Sequence, residues 1–448
     1  MTQLKPTWVW ATPLFVVVAA TICFLSACAT GSLSTGLPQT PVTNTPSLPE
    51  TETPVLSPTP SPLPSATPVA IAGTSAVEYR LPLTVQHVTE SSATLYFELD
   101  ALSEGILLYS PLEAVESQRL LPLASDEVSH QVTLAGLTPG VTYQAVVGLA
   151  GGGQYQQPLF HGQVWAPVIF RTPAVDQAVL RVGVLGDSGF GDAATYELAR
   201  QMSEHDLDFT IHTGDVVYQI GENADPAEAF ALKWYLPLSP LLHSMPIYPV
   251  VGNHDVEAAT YFDGLPFYYR AFPGFVDERL PPSSNQGQNQ WYAFAYRDVQ
   301  FLMLDTQTFY NEGGRAEQDQ WLAERLADSA FAHTIVVCHI PPYSSGSLHQ
   351  YDGVPVQSWV GLFKAARVPL VLSGHSHNYE RLEQNGITYI VSGGGSSTLY
   401  NQGNPLPQSR VFAARTHFVL LEIHPDHIHL TALAVGGEVL DEAIIPLR

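Results

Sequence analysis

The residues in this chain best suited to chemistry are short polar clusters, each set at the end of an apolar run. Gly186-Asp187-Ser188-Gly189 follows Leu180 to Leu185, and Gly214-Asp215, with Tyr218 just beyond, follows Phe209, Thr210 and Ile211. Gly252-Asn253-His254-Asp255 follows Ile247 to Val251, His339 follows Thr334 to Cys338, and Gly374-His375-Ser376-His377 follows Val368 to Leu372. One Gly-Asp after a strand is ordinary turn chemistry. Repetition changes that reading, because together these ends deliver Asp187, Asp215, Tyr218, Asn253, His339, His375 and His377, with His254 beside the Asn. Carboxylate, phenol, amide and imidazole donors without a thiolate suit borderline or hard cations rather than a zinc finger.

The elements that must position these groups are legible in the same runs. Short β-branched stretches ending in Gly-polar pairs predict buried strands. In a sheet with helices between its strands, ligands collect beyond the strands' carboxyl ends, so groups distant in sequence can converge there. Ala194 to Met202, then Trp321, Leu322 and Leu326, then Trp359, Leu362, Phe363 and Ala366 recur at helical spacing and predict packing faces. Alternating runs at Phe418 to Ile423, His427 to Ala434 and Val439 to Ile445 close the chain, and His424, His427 and His429 there read as solvated. Alternation turns Cys338 away from His339 and into a core. Asp305, after Phe301 to Leu304, reads as a turn or supporting residue, and Arg381 as either a contact for an anion or a structural ion pair. The polar segment Pro273 to Gln290 is expected to be a long loop bordering the cleft.

GDSG, GDVVY, GNHD, VVCH and GHSH, in that order, resemble the motifs of the purple acid phosphatase branch of the calcineurin-like metallophosphoesterases. The likeness runs from about Val179 to the C-terminus, and Tyr218 is its most discriminating residue. Asp255 departs from it, since the plant and animal enzymes usually carry Glu there. The resemblance implies that Asp187, Asp215, Tyr218 and His377 hold one metal, and Asp215, Asn253, His339 and His375 a second. It implies Fe(III) in the Tyr218 site and Fe(II), Zn(II) or Mn(II) in the other, with Asp215 bridging ions about 3.5 to 4 Å apart. It further implies attack on phosphorus by a metal-bound hydroxide, with His254 protonating the leaving group or orienting the phosphate and His349 assisting.

Upstream, short strands at Ala93 to Leu99, Gly105 to Tyr109, His130 to Leu134, Thr142 to Leu149 and Val168 to Phe170 predict a β-sandwich. Leu134 to Tyr143 resembles the tyrosine-corner segment of fibronectin type III domains. Gly151 to Gly153 reads as a hairpin tip, since neither a Lys-Ser/Thr nor a helix follows it. Residues 29–73 are Pro, Thr and Ser with hardly an apolar cluster, which predicts an extended tether. Residues 1–28 read as a targeting segment: Lys5 is the only charge, Leu14 to Leu25 is apolar, and Leu25-Ser26-Ala27-Cys28 resembles a bacterial lipoprotein cleavage box. Cleavage there removes Cys23 and places lipid on Cys28, leaving Cys338 without an intrachain disulfide partner. An uncleaved anchor spanning Trp8 to Ala27 is the other reading, and both put the remainder outside the cytoplasmic membrane.

The chain has 448 residues, 45% of them hydrophobic and 13% charged, which is enough for a large core and more than one domain. A net charge of -24 offers no basic track for nucleic acid, so an anionic substrate must be attracted locally by cations. The expected architecture is multidomain: signal (1–28), tether (29–73), an all-β fibronectin type III-like sandwich (74–175), and an α/β metallophosphoesterase domain (176–448). The last is expected as an αββα sandwich, two central sheets flanked by helices. The expected function is hydrolysis of phosphorylated small molecules, as monoesters, by a membrane-tethered extracytoplasmic enzyme. Phosphodiester or nucleotide hydrolysis is the alternative on the same site, and a non-catalytic surface binding protein is a third reading.

Overall fold

The computed structural model describes residues 63–64, 70–218, 225–255, 264–274, 291–310, 314–328 and 330–447. The features below belong to the unit Pro58–Arg448. The expected signal with Cys23 and Cys28, most of the tether, and most of the loop 273–290 lie outside the described residues. No helix among the described residues is long and apolar enough to cross a membrane.

The N-terminal part of this unit is two facing sheets. Tyr79–Val88, Ser92–Leu99 and Ser129–Ala135 form one of them, all antiparallel. The other is built around Gly105–Pro111 and Thr142–Gly151, with Arg119–Pro122, Gln154–Gln157 and Val168–Arg171 alongside. Leu95, Phe97, Leu107, Ala145 and Val147 fill the space between and are buried. The strand Tyr79–Val88 is the element that alternation does not reveal. Pro82 interrupts it, its register shifts between Leu81 and Thr84, and the residues from Leu81 to Val85 are all buried, so no polar-apolar rhythm exists to read.

The expected tether is too long at its C-terminal end. Ile71–Thr74 runs parallel to Gln154–Gln157, and Leu63–Pro64 pairs with Arg119 and Leu120. The Ile71 side chain lies against the bare Cα of Gly148, so a single apolar residue suffices to dock a segment whose composition is otherwise that of a linker. Gly152 and Gly153 form the hairpin tip between Thr142–Gly151 and Gln154–Gln157, with φ of 60° and 81°.

The C-terminal part is two packed sheets. The first has the order Ile247–Pro249, Phe209–His212, Leu180–Leu185, His417–Ile423, His427–Ala434, Val439–Pro446, parallel among the first three strands and antiparallel after. The second runs Tyr292–Tyr296, Val299–Leu304, His333–Cys338, Leu370–Ser373, Ile387–Ser392, Tyr379–Gln384, Ser409–Ala413, with a parallel centre. Alternation divides each strand between two cores. Phe301, Met303, Ile335, Val337, Leu370 and Leu372 face Val182, Val184, Phe209 and Leu421 of the first sheet. Leu302, Leu304, Val336, Cys338 and Val371 face the other way, onto Trp321 and Leu322 of the helix Arg315–Leu326 and onto Trp359 and Phe363. The helix Ala193–Met202 covers the outside of the first sheet, capped by Asp192, which accepts the amides of Ala194 and Thr195. Cys338 is buried in the outer core, and burial pushes its thiol up to about 12, so it is inert. Asp305 caps the short helix Thr306–Phe309, and Arg381 is held by Asp441 and Glu383, which makes both structural residues.

The two halves share a seam. Glu98, buried in the sandwich, pairs with Arg270 of the helix Gly264–Ala271, and Gln131 donates to the carbonyl of Gly274 at 2.8 Å. His87 meets the Tyr248 hydroxyl at 2.8 Å, and the amide of Ile169 donates to the carbonyl of His243.

The tyrosine corner is present, with the Thr138 amide donating to the buried Tyr143 hydroxyl oxygen at 2.9 Å. Tyr143→Phe keeps the ring and removes that acceptor, so it is expected to destabilise the chain by about 1 kcal/mol. Urea unfolding checks this, and an unshifted midpoint would show that the bond contributes nothing.

Candidate metal centre

The site is assembled from strand ends that must turn sharply. Asp187, Asp215 and His375 have φ of 58°, 56° and 67°, in the left-handed region that side chains with a Cβ avoid. Such positions cost of order 1 to 3 kcal/mol each and persist where the surroundings fix them. Here the loops hold one another. The Asp187 amide donates to the Gly214 carbonyl at 3.0 Å, and the Gly374 amide to that of His339 at 2.9 Å. Asp255 accepts the amides of Gly252 at 2.8 Å, Val216 at 3.1 Å and Val217 at 3.3 Å, tying two motif loops together. The glycines leave room for the neighbouring carboxylates. A Cβ on Gly252 would lie 2.1 Å from Asp215 Oδ1, and one on Gly374 would lie 2.4 Å from Asp187 Oδ2.

The expected residues come together as two adjoining groups. In the first, the Tyr218 hydroxyl lies 2.9 Å from His377 Nε2 and 3.2 Å from Asp187 Oδ1, and those two are 3.5 Å apart. Donor atoms of Asp187, Asp215 and His377 all lie within 4.8 Å of one another. In the second, Asn253 Oδ1 lies 2.8 Å from His375 Nδ1 and 3.0 Å from His339 Nε2, which is itself 3.4 Å from Asp215 Oδ1. His254 donates its backbone amide to Asp215 Oδ1 at 3.0 Å, and its ring sits 4.5 Å from that of Tyr218. The His349 ring lies 4.2 Å from that of His375.

Each of the three histidines in these groups is anchored by its far nitrogen. His339 Nδ1 meets the Thr213 carbonyl at 2.8 Å, His377 Nδ1 the Thr398 carbonyl at 2.9 Å, and His375 Nε2 meets Asp352 Oδ2 at 2.9 Å. Carbonyl and carboxylate oxygens only accept, so a proton on each far nitrogen satisfies it and leaves the near nitrogen free to ligate a cation among the oxygens of the centre.

The protonation of the site follows the same logic. Burial works to depress His339, yet the adjacent Asp215 carboxylate prevails and carries it up to about 9, so a proton can occupy the place of a cation. Burial opposes ionisation of Asp215 too, but His339, His254 and His375 hold it below the usual carboxylate range. Asp187 is pushed well above that range by burial, with Asp215 adding to the effect and His339 opposing it. Burial, then the two carboxylates, raise the Tyr218 phenol well above 10. Burial lowers His375 and His377 to about 4, so both stay neutral and free to ligate. The neutral imidazoles of His375 and His377, the His339 ring whose proton stands in a cation's place, the buried carboxylates and a phenol turned on common points are a donor set that fits two cations.

Residues 180–379 match the calcineurin-like phosphoesterase family. This chain carries a calcineurin-like metallophosphoesterase domain. The chain is 29% identical over 261 residues to probable purple acid phosphatase 20 of Arabidopsis thaliana, covering 53% of this chain and 57% of that protein. It is 26% identical over 341 residues to purple acid phosphatase 23 of the same plant, covering 69% and 68% of the two chains. The fold is that of a purple acid phosphatase from yellow lupin (Lupinus luteus) seeds, with a TM-score of 0.64 at 18% identity, over 81% of this chain and 74% of that one.

Sequence reasoning overlooked several residues around the metallophosphoesterase centre. Phe190 stacks on Tyr218 at 4.2 Å, Tyr400 stacks on His377 at 4.3 Å, and Asp352 receives both His375 and His349. Phe190 directly follows the first motif and could have been suspected from that. Tyr400 and Asp352 lie in loops without any periodic signal. Hydrogen bonds, the first from His375, draw Asp352 down to about 2.

Gly252→Ala is expected to push the Asp215 carboxylate out of place and weaken metal retention by about 10- to 100-fold. Metal quantification on purified protein, with circular dichroism as the fold control, checks this. Wild-type affinity in the variant would show that the close approach is without consequence.

Proposed function

We propose that this protein hydrolyses phosphate monoesters at a two-cation centre of the purple acid phosphatase type. The observation that carries the reading is the Tyr218 phenol set against Asp187 and His377, beside a second group of donors that includes Asp215 and His339. Asp187, Asp215, Tyr218 and His377 would hold the first cation, and Asp215, Asn253, His339 and His375 the second. Two bound cations supply Lewis acidity toward a phosphoryl oxygen and lower the pKa of water to near neutral.

The chain's own groups do the rest. Asp215 belongs to both groups: a donor atom of it lies within 4.8 Å of donors of Asp187 and His377, and its Oδ1 lies 3.4 Å from His339 Nε2, so its carboxylate would be shared by both cations. A buried phenol held well above 10 gives up its proton only to a strongly positive neighbour, which supports Fe(III) beside Tyr218 and a divalent ion, Fe(II), Zn(II) or Mn(II), beside the neutral Asn253. His254, anchored by its backbone to Asp215 and lying against Tyr218, is placed to hand a proton to the departing alkoxide. His349, at the second group, is placed to orient the phosphoryl oxygens. The apolar segment Leu14 to Leu25 and the box ending at Cys28 support an extracytoplasmic protein tethered by lipid on Cys28.

Phosphate release from chromogenic monoesters, compared with diesters, tests the reaction class. A metal-loaded protein inactive on monoesters would sink it. His254→Ala is expected to lower kcat by about 100- to 10,000-fold while both metals stay bound, and unaltered turnover would remove His254 from the reaction. Tyr218→Phe is expected to bleach the visible absorption of the iron-loaded protein, and a colourless iron-loaded wild type would contradict the ligand assignment.

A further inference from the structure

Among the described residues, one carboxylate outside both donor groups touches them. Asp352 Oδ2 lies 2.9 Å from His375 Nε2 and 2.8 Å from His349 Nδ1, so a single oxygen meets two imidazoles whose rings are 4.2 Å apart. We propose that Asp352 is a positioning residue that fixes the tautomers of His375 and His349 together, coupling the second cation site to the substrate-facing histidine. This rests on the two-cation reading above.

The tautomer argument is specific. His375 Nδ1 faces Asn253 Oδ1, the atom that His339 Nε2 also approaches, so in the two-cation reading Nδ1 is the ligating nitrogen and Nε2 bears the proton. Asp352 accepts that proton's hydrogen bond and makes the imidazole a stronger donor. The second bond at the same oxygen fixes the proton of His349 on Nδ1 and leaves its Nε2 for a phosphoryl oxygen or leaving group.

The placement of Asp352 is built by its own loop. Its amide closes a turn onto the His349 carbonyl at 3.4 Å, and its carbonyl accepts the Tyr310 hydroxyl. The next residue is Gly353, where a Cβ would lie 1.8 Å from the Pro341 carbonyl oxygen, so the turn is pressed against the segment that follows His339.

His349, Asp352 and His375 also have the spacing of a small cation site. A cation there would require His375 to lose its second proton and ligate through both nitrogens. Ordinary imidazole chemistry favours the hydrogen-bonded arrangement. The Asp352 side chain is 44% exposed, so its removal leaves no cavity in the core.

The test uses the full chain loaded with iron and zinc, as wild type, Asp352→Ala and Asp352→Asn. Chelator competition is expected to release the second cation about 10- to 100-fold more readily from the Ala variant. The Asn variant, which keeps an uncharged acceptor, should fall between the two. The visible band from the Tyr218 site and the thermal midpoint of the metal-free protein should be unchanged in all three. Equal retention in wild type and Asp352→Ala would overturn the proposal, and so would three cations in wild type against two in that variant. A wild type that binds no cation would instead overturn the two-cation reading on which the proposal stands.

Discussion

The constraint on which this molecule turns is electrostatic. Asp187 and Asp215 are buried, and His339, His375 and His377 turn ring nitrogens toward them and toward Asn253. Such a set rests only with protons or cations in its midst, since an isolated buried carboxylate is costly. Much of the local architecture is explained by the need to gather these groups: the left-handed Asp187, Asp215 and His375, the glycines that give the carboxylates room, and the amides that converge on Asp255. The strain and desolvation belong to the protein, and positive charge placed among these groups would relieve them.

The two sheets are what make this tolerable. Strands buried on both faces hold their ends rigidly, so turns with unfavourable φ cannot relax by shifting the strand. Alternation along Val299–Leu304, His333–Cys338 and Leu370–Ser373 sends one set of side chains to each core, and His339 and His375, just beyond the second and third of these strands, are left at the crevice. The same alternation disposes of Cys338, whose thiol is turned to the outer core while His339, one residue later, faces the centre.

How much was legible in the sequence follows from which signals are local. The strands around Asp187, Asp215, Asn253, His339 and His375 announce themselves by apolar runs ending in glycine and a polar residue, and the tyrosine corner by its own short segment. Asp352 gives no such sign, because its role exists only once the turn after His349 folds back against His375. Tyr79–Val88 hides behind Pro82 and its irregular register, and Ile71–Thr74 behind a tether's composition. In each case the deciding contact is long-range, and no local pattern encodes it.

The seam between the sandwich and the metallophosphoesterase domain carries a consequence for how such chains can be recombined. Glu98 is buried beneath a guanidinium from the other half, and Tyr248, on a strand of the first sheet, shares its hydroxyl with His87. Separating the halves would take Arg270 from Glu98, leaving it Arg80 alone as a cationic partner among the described residues, and would break the His87–Tyr248 hydrogen bond. The sandwich therefore belongs to the framework of the metallophosphoesterase domain and is not a detachable accessory, and exchange of modules between relatives is better tolerated upstream of Leu63 than at the junction near Arg171.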